Sequence, residues 1–216
     1  MPSANALPKT LLQLAGASPV PSPLENAALV LIDAQLEYVC GAVPLAGIDA
    51  AVAHAARLLA LARERAVPVF HVVHLGKAGA PAFDPLGWRA AIIPALAPRD
   101  GEKVVVKSLP NAFARTILEH EIRATGRGEL IVAGFATHMC VSATTRAALD
   151  LGFRCTVVAG ATATRDLPNP LGRGVTPAAV VQDGTLAALA DRFAVIVADA
   201  DAWTPASERV GEPSCG

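Results

Sequence analysis

Short, unbroken apolar runs alternate along this chain with segments of helical periodicity, and that alternation narrows the fold more than any other feature. The runs are ALVLID (28–33), VPVFHVVHL (67–75), KVVVKS (103–108), ELIVAG (129–134), RCTVVAG (154–160) and FAVIVAD (193–199). Continuous apolar runs of this length read as strands buried on both faces. Between them, residues 48–66 place Val52, Ala55, Leu59 and Ala62 on one helical stripe and end in Arg63, Glu64 and Arg65. Further helices are expected over 112–126, stopped by Gly126; over the stretch that starts near Thr137 and stops at Gly152; and over 176–191, with Pro177 near its start. Strands alternating with helices imply parallel pairing and right-handed crossovers. The expected fold class is α/β: a three-layer α/β/α domain around a six-stranded parallel sheet, order 3-2-1-4-5-6.

That domain is expected over residues 28–203. Residues 1–27, rich in Pro, Ala and Ser, read as an N-terminal extension draped on the surface or on a neighbour, and residues 204–216 as a flexible C-terminal tail. Residues 76–102 form the longest irregular connection, and a loop that long is usually functional or part of an interface. Apolar residues make up 53% of the chain and the mean hydropathy is +0.44, a surplus that points to a homo-oligomer, dimer or tetramer. A net charge of −1 and 4% aromatic residues argue against nucleic acid as a partner. No apolar stretch approaches the ~20 residues of a membrane span. The four cysteines, Cys40, Cys140, Cys155 and Cys215, form neither a C-x-x-C pair nor a metal knuckle, so a reducing cytoplasm and a small-molecule substrate are the expectations.

In open parallel sheets ligands bind beyond the carboxyl ends of the strands, where the strand order reverses. Asp33 ends the first run, Lys107 the third, and Cys140 follows the fourth by one turn. Strands 1 and 4 are neighbours in the expected order, and a long Lys side chain can span most of the roughly 10 Å from strand 3. A carboxylate, an ammonium and a thiol therefore converge. Thr137 is a plausible N-cap, which makes Cys140 the N3 residue, near unpaired N–H groups and the positive helix end that favour a thiolate. Taken singly, each residue has a plainer role: a turn aspartate, a solvated lysine, a small core cysteine.

The segments LVLIDAQ (29–35), GEKVVVKSLPNAFARTIL (101–118) and VAGFATHMCVSATTRAALDLGF (132–153) resemble, in order and spacing, the isochorismatase-like cysteine hydrolases, which include nicotinamidases and carbamoyl amidohydrolases. The resemblance spans about residues 28–200. It implies a catalytic triad of Asp33, Lys107 and Cys140, a cis peptide between Phe135 and Ala136, and an oxyanion hole from the Ala136 and Cys140 N–H groups. It also implies C–N bond cleavage in a small amide, ureide or carbamoyl compound through a thioester, with no cofactor. The alternatives are a vinyl-ether hydrolase of the isochorismatase type, which uses the aspartate as acid, and a non-catalytic or redox-sensing member of the fold.

Some positions depart from the family pattern. The D-x-H metal site of nicotinamidases would start at Asp49, but Ala51 stands where the histidine belongs, and no metal is expected; His54 is expected to pack or face solvent. Gln35, His74, Phe135, Thr137 and His138 are candidate substrate contacts, with Gln35 alternatively closing a turn and His138 alternatively solvated at the helix start. Asn111 replaces the Ser of many members. Arg165 and Asp166 follow the fifth strand, where the two roles open to them are ligand contact and loop-pinning, and loop-pinning is the expected one.

Overall fold

The computed structural model describes residues 7–204. The expected tail falls outside them except for Thr204, and Cys215 lies outside as well. Element order is α1 (Leu11–Leu14), β1 (Ala27–Ile32), α2 (Glu37–Cys40), α3 (Ile48–Glu64), β2 (Val69–His74), β3 (Lys103–Lys107), α4 (Leu118–Ala124), β4 (Glu129–Phe135), α5 (Ser142–Asp150), β5 (Arg154–Ala163), β6 (Leu167–Pro168), β7 (Val175–Thr176), α6 (Ala178–Arg192) and β8 (Val195–Val197). Six strands form one parallel sheet in the order β3-β2-β1-β4-β5-β8, while β6 and β7 pair antiparallel as a separate ribbon. The sequence order 3-2-1-4-5-6 is thus the observed one, with β8 as the sixth sheet strand.

Side chains of β1 show how the layers arise. All six residues are buried. Ala27, Leu29 and Leu31 join α3 residues Ala55, Leu58 and Leu59 in one apolar cluster. Ala28, Val30 and Ile32 join Leu118 and Ile122 of α4, Ala148 of α5 and Leu189 of α6 in the other. A two-residue period with both phases apolar requires this double-sided burial. Gly134 lets β4 lie against β1: its φ is +113°, and a Cβ there would collide with the Ile32 carbonyl.

Three expectations meet the structure in detail, and two of them, the helix start at 112 and the Thr137 cap, need correction. The helix over 112–126 begins only at Leu118. Upstream, Asn111 Oδ1 accepts the Phe113 N–H at 2.9 Å, Thr116 Oγ1 donates to the Ala112 carbonyl at 2.6 Å, and Arg115 takes φ +60°. Those local side-chain bonds satisfy the backbone in a non-helical path. Second, the extension lies on its own chain: Leu11 N–H donates to Asp191 at 2.8 Å, Ser22 N–H to Thr156 Oγ1 at 2.8 Å, and Trp203 Nε1 to the Ser22 carbonyl at 2.8 Å. Arg154 also binds the carbonyls of Ser18 and Val20. The Arg154 and Thr156 contacts sit at the amino end of β5, opposite the carboxyl edge of the sheet. Third, Thr137 is not an N-cap. Ala136 holds that position, and Thr137 opens a π-helical turn, Thr137–Val141, that feeds α5.

Candidate active site

β1 stops at Asp33 because that residue adopts φ +49°, a left-handed conformation that turns the chain out of the sheet. Its N–H still donates to the Val72 carbonyl at 2.8 Å, fixing it beside β2. His74 and Lys107 are register partners at the ends of β2 and β3, on the sheet face that also carries Phe70, Val72 and Val105. Cys140 lies on that face too, in the π-helical turn. Residues 33, 74, 107 and 140 thereby meet at one carboxyl edge.

Lys107 is the hub. Its Nζ lies 2.7 Å from Asp33 Oδ2, 3.3 Å from Cys140 Sγ and 3.3 Å from His74 Nδ1. An ammonium has three N–H donors, and here it meets three acceptors. Both members of the Lys107–Asp33 pair have fully buried side chains. Asp33 Oδ1 is buried and has no hydrogen-bond partner among the described residues. Burial, outweighing the Lys107 charge, raises the Asp33 carboxyl to about 6. Burial and the nearby Asp33 push the Cys140 thiol up to about 12 against the opposing pull of Lys107. Burial thus works against the thiolate expected from the helix end, and Lys107 only partly opposes it. Burial, then Lys107, lowers His74 to about 4, so its ring is neutral and accepts through Nδ1.

A cavity of about 240 Å³ opens over Cys140. It falls below the ~300 Å³ floor of drug-sized ligand pockets, which fits a small substrate. Of the five candidate contacts, His74 and His138 line it. The other three do not. Gln35 is fully buried and spends its amide elsewhere: Oε1 accepts the His74 N–H at 2.9 Å, and Nε2 donates to the carbonyls of His74 at 3.0 Å and Ala90 at 2.7 Å. It clamps the end of β2 to the 76–102 loop. Phe135 is fully buried beneath Tyr38, ring centroids 6.0 Å apart. Thr137 is also fully buried, its hydroxyl without a partner among the described residues. Ala136 lines the cavity, and the Phe135–Ala136 peptide is cis. His138 Nδ1 lies 2.5 Å from Thr164 Oγ1, and burial together with Arg165 lowers its pKa.

The sequence reading singled out neither Tyr38 nor Phe83, which also line the cavity, and it favoured loop-pinning over ligand contact for Arg165, which lines it too. Tyr38 is the chain's single tyrosine, five residues past Asp33, and that position was the available signal. Phe83 belongs to the long loop, where its N–H donates to Glu37 at 3.2 Å. Loop-pinning describes Asp166, whose carboxylate accepts the Ala178 N–H at 2.7 Å at the start of α6. Arg165 differs, since among the described residues its guanidinium has no carboxylate partner and binds only the Asp166 carbonyl, at 3.3 Å. His54 packs over Gly160. Among the described residues no three His, Cys, Asp or Glu side chains cluster as metal ligands would, and no helix is long and apolar enough to cross a membrane.

A family profile described as the isochorismatase domain matches residues 27–200. The chain belongs to the isochorismatase family. Among solved members of that family, an isochorismatase from Pseudomonas putida KT2440 shares 45% identity at a TM-score of 0.83, over 88% of this chain and 97% of that one. A secreted isochorismatase effector of Verticillium dahliae is 35% identical over 86% of this chain and 95% of its own length. A maleamate amidohydrolase of Pseudomonas putida is 35% identical over 61% of this chain and 69% of its own length. The chain is thus an isochorismatase-family hydrolase, and its relatives include amidohydrolases.

Proposed function

We propose that this hydrolase is a cysteine amidohydrolase that cleaves a C–N bond of a small amide, ureide or carbamoyl compound. The observation that carries the reading is the Lys107 ammonium bonded to both Asp33 and Cys140 beside an unspent Asp33 Oδ1. In the proposed reaction Asp33 accepts the Cys140 proton as the sulfur attacks the substrate carbonyl. Lys107 offsets the negative charge wherever it resides, on carboxylate or sulfur. The Ala136 and Cys140 N–H groups receive the oxyanion, at about 3 kcal/mol for each such donor. Asp33 then protonates the departing nitrogen. Water hydrolyses the thioester, releasing the acid and restoring the thiol.

Arg165 narrows the substrate class. Lys107 is neutralised by Asp33, and His74 and His138 are kept neutral, so an unpaired guanidinium leaves the cavity with a net positive charge. A substrate with an anionic group satisfies it. The maleamate amidohydrolase among the relatives is named for an amide that bears a carboxylate.

Ammonia release from a panel of anionic and neutral amides and ureides tests the reading. Turnover should vanish in Cys140→Ala with the circular-dichroism spectrum unchanged, and near-normal turnover in that variant would end the proposal. Arg165→Gln should raise KM about tenfold or more for anionic substrates and leave neutral ones unaffected.

The likeness to an isochorismatase supports a second reading, hydrolysis of a vinyl ether with Asp33 as the acid. The two readings give opposite pH slopes. An amidohydrolase needs the Asp33 carboxylate, so its kcat/KM climbs as pH rises through about 6, whereas a vinyl-ether hydrolase loses its acid over the same interval. We further propose a cytoplasmic setting, supported by Cys40, Cys140 and Cys155, which form no disulfide among the described residues, and a homo-oligomer, supported by exposed Leu86, Trp88, Val104 and Val106. Cell fractionation and light scattering test these two points.

A further inference from the structure

Tyr38 sits where the chemistry would occur, yet none of the steps above uses it. Its ring is 6% exposed and lines the Cys140 cavity together with Ala136. Two edge-on aromatic contacts hold it, Phe83 at 5.2 Å between centroids and Phe135 at 6.0 Å. Glu37, its neighbour in α2, accepts the N–H groups of Ala42 and Phe83, which fixes both the turn after Tyr38 and the loop that supplies Phe83. The ring is therefore held between two aromatic neighbours on an anchored turn and loop, which restricts its hydroxyl.

The hydroxyl itself is unspent. Among the described residues it donates no hydrogen bond, and its residue lines one cavity with Ala136 and Cys140. The Ala136 N–H and the Tyr38 O–H thus border the same small volume beside the sulfur. Burial, reinforced by the neighbouring Asp33 and Cys140, raises the phenol far above its ordinary range, so it stays protonated at any pH the enzyme meets. A phenol that keeps its proton, is held between two aromatic rings and donates to no acceptor among the described residues is suited to donating to a ligand atom.

We propose that the Tyr38 hydroxyl donates a hydrogen bond to the carbonyl oxygen of the bound substrate, as a third donor beside the Ala136 and Cys140 N–H groups. The O–H bond stays intact throughout: no proton is transferred to the oxyanion, and the proton released by Cys140 still goes to Asp33. The bond strengthens as the carbonyl oxygen gains charge, so its effect falls on the transition state more than on substrate binding. The assignment rests on the amidohydrolase reading above.

The test is Tyr38→Phe in the full-length protein, which removes one oxygen and keeps the ring between Phe83 and Phe135. With a substrate found in the ammonia-release panel, kcat is expected to fall about 100-fold, the usual loss for one oxyanion donor, while KM changes less than threefold. The pH profile should keep its midpoint, because the lost group does not titrate, and the melting temperature should stay within a few degrees of the parent. An unchanged kcat, a rise confined to KM, or a displaced pH midpoint would each overturn the assignment while leaving the amidohydrolase reading in place. A parent protein that releases ammonia from no amide in the panel sinks that reading, and the assignment goes with it. Should Tyr38→Phe melt far below the parent, Tyr38→Met provides a second apolar replacement, and a well-folded Tyr38→Met that keeps full kcat is equally fatal.

Discussion

The Lys107 ammonium contacts a carboxylate oxygen, a sulfur and an imidazole nitrogen at 2.7, 3.3 and 3.3 Å, with no exposed surface on its side chain. Removing it leaves Asp33 as a buried carboxylate with no counter-charge, a loss of roughly 3–5 kcal/mol for a broken buried pair. Lys107→Met should accordingly lower the melting temperature by about 6–15 °C and abolish turnover. At pH 4 part of the stability difference should disappear, because the orphaned Asp33 takes up a proton and becomes neutral. Calorimetry at the two pH values checks both statements. Lys107→Arg keeps the charge but presents a planar fork to acceptors arranged for a compact ammonium, so it should not restore activity. The meeting of Asp33, Lys107 and Cys140 was legible because each ends or follows an apolar run, and the fold class brings those ends together. Tyr38 was not, because its position depends on the turn at Asp33 and on a loop 45 residues downstream that contributes Phe83.

Elements reached from sequence with good fidelity were those defined by apolar period alone. α3, expected over 48–66, spans Ile48–Glu64, and the six sheet strands fall where the runs are. The helix before β4 was overextended because Thr116 and Asn111 offer the backbone competing bonds that no periodicity records. The role of Gln35 was hidden for a similar reason. An amide two residues after Asp33 reads equally well as a ligand contact or a turn, and only the positions of His74 and Ala90 decide between them. Gln35→Leu should therefore act on the loop before it acts on chemistry, leaving the His74 N–H and the Ala90 carbonyl unpaired at a cost of about 1–3 kcal/mol. Limited proteolysis should detect faster cleavage near Lys77 or Arg89 in that variant, and an unaltered digestion pattern would refute the clamp. At the β1–β4 contact, Gly134→Ala meets the Ile32 backbone, and no side-chain movement can relieve that collision; most of the variant should be insoluble.

At the scale of the whole molecule, two charged clusters among the described residues lie on opposite faces of the sheet. One is the triad. The other joins α3, β2 and the approach to β3: Arg63 pairs with Glu102 at 2.7 Å, and Glu102 also binds His71 at 2.8 Å and the Arg99 N–H at 2.8 Å. Although burial opposes it, these partners hold the Glu102 carboxyl down at about 2. A depressed carboxylate pKa contributes stability above its unfolded value near 4.5 and loses it as pH falls toward 2. Glu102→Gln should thus destabilise the protein at pH 7 by about 2 kcal/mol, with the difference shrinking as the solution is acidified, as urea titrations at pH 7 and pH 3 would measure. Such a pin at the far end of the 76–102 loop complements the Gln35 clamp at its near end.

The machinery and the walls of the cavity have separate origins. Asp33, Lys107 and Cys140 hang from strand ends and the first turn of a helix, where the sheet register fixes them, whereas Val43, Phe83 and Arg165 come from connecting segments. Selection can accordingly redraw the walls one side chain at a time without disturbing the engine beneath them. Libraries randomised at those three loop positions should yield descendants with new appetites and the same bond-breaking core.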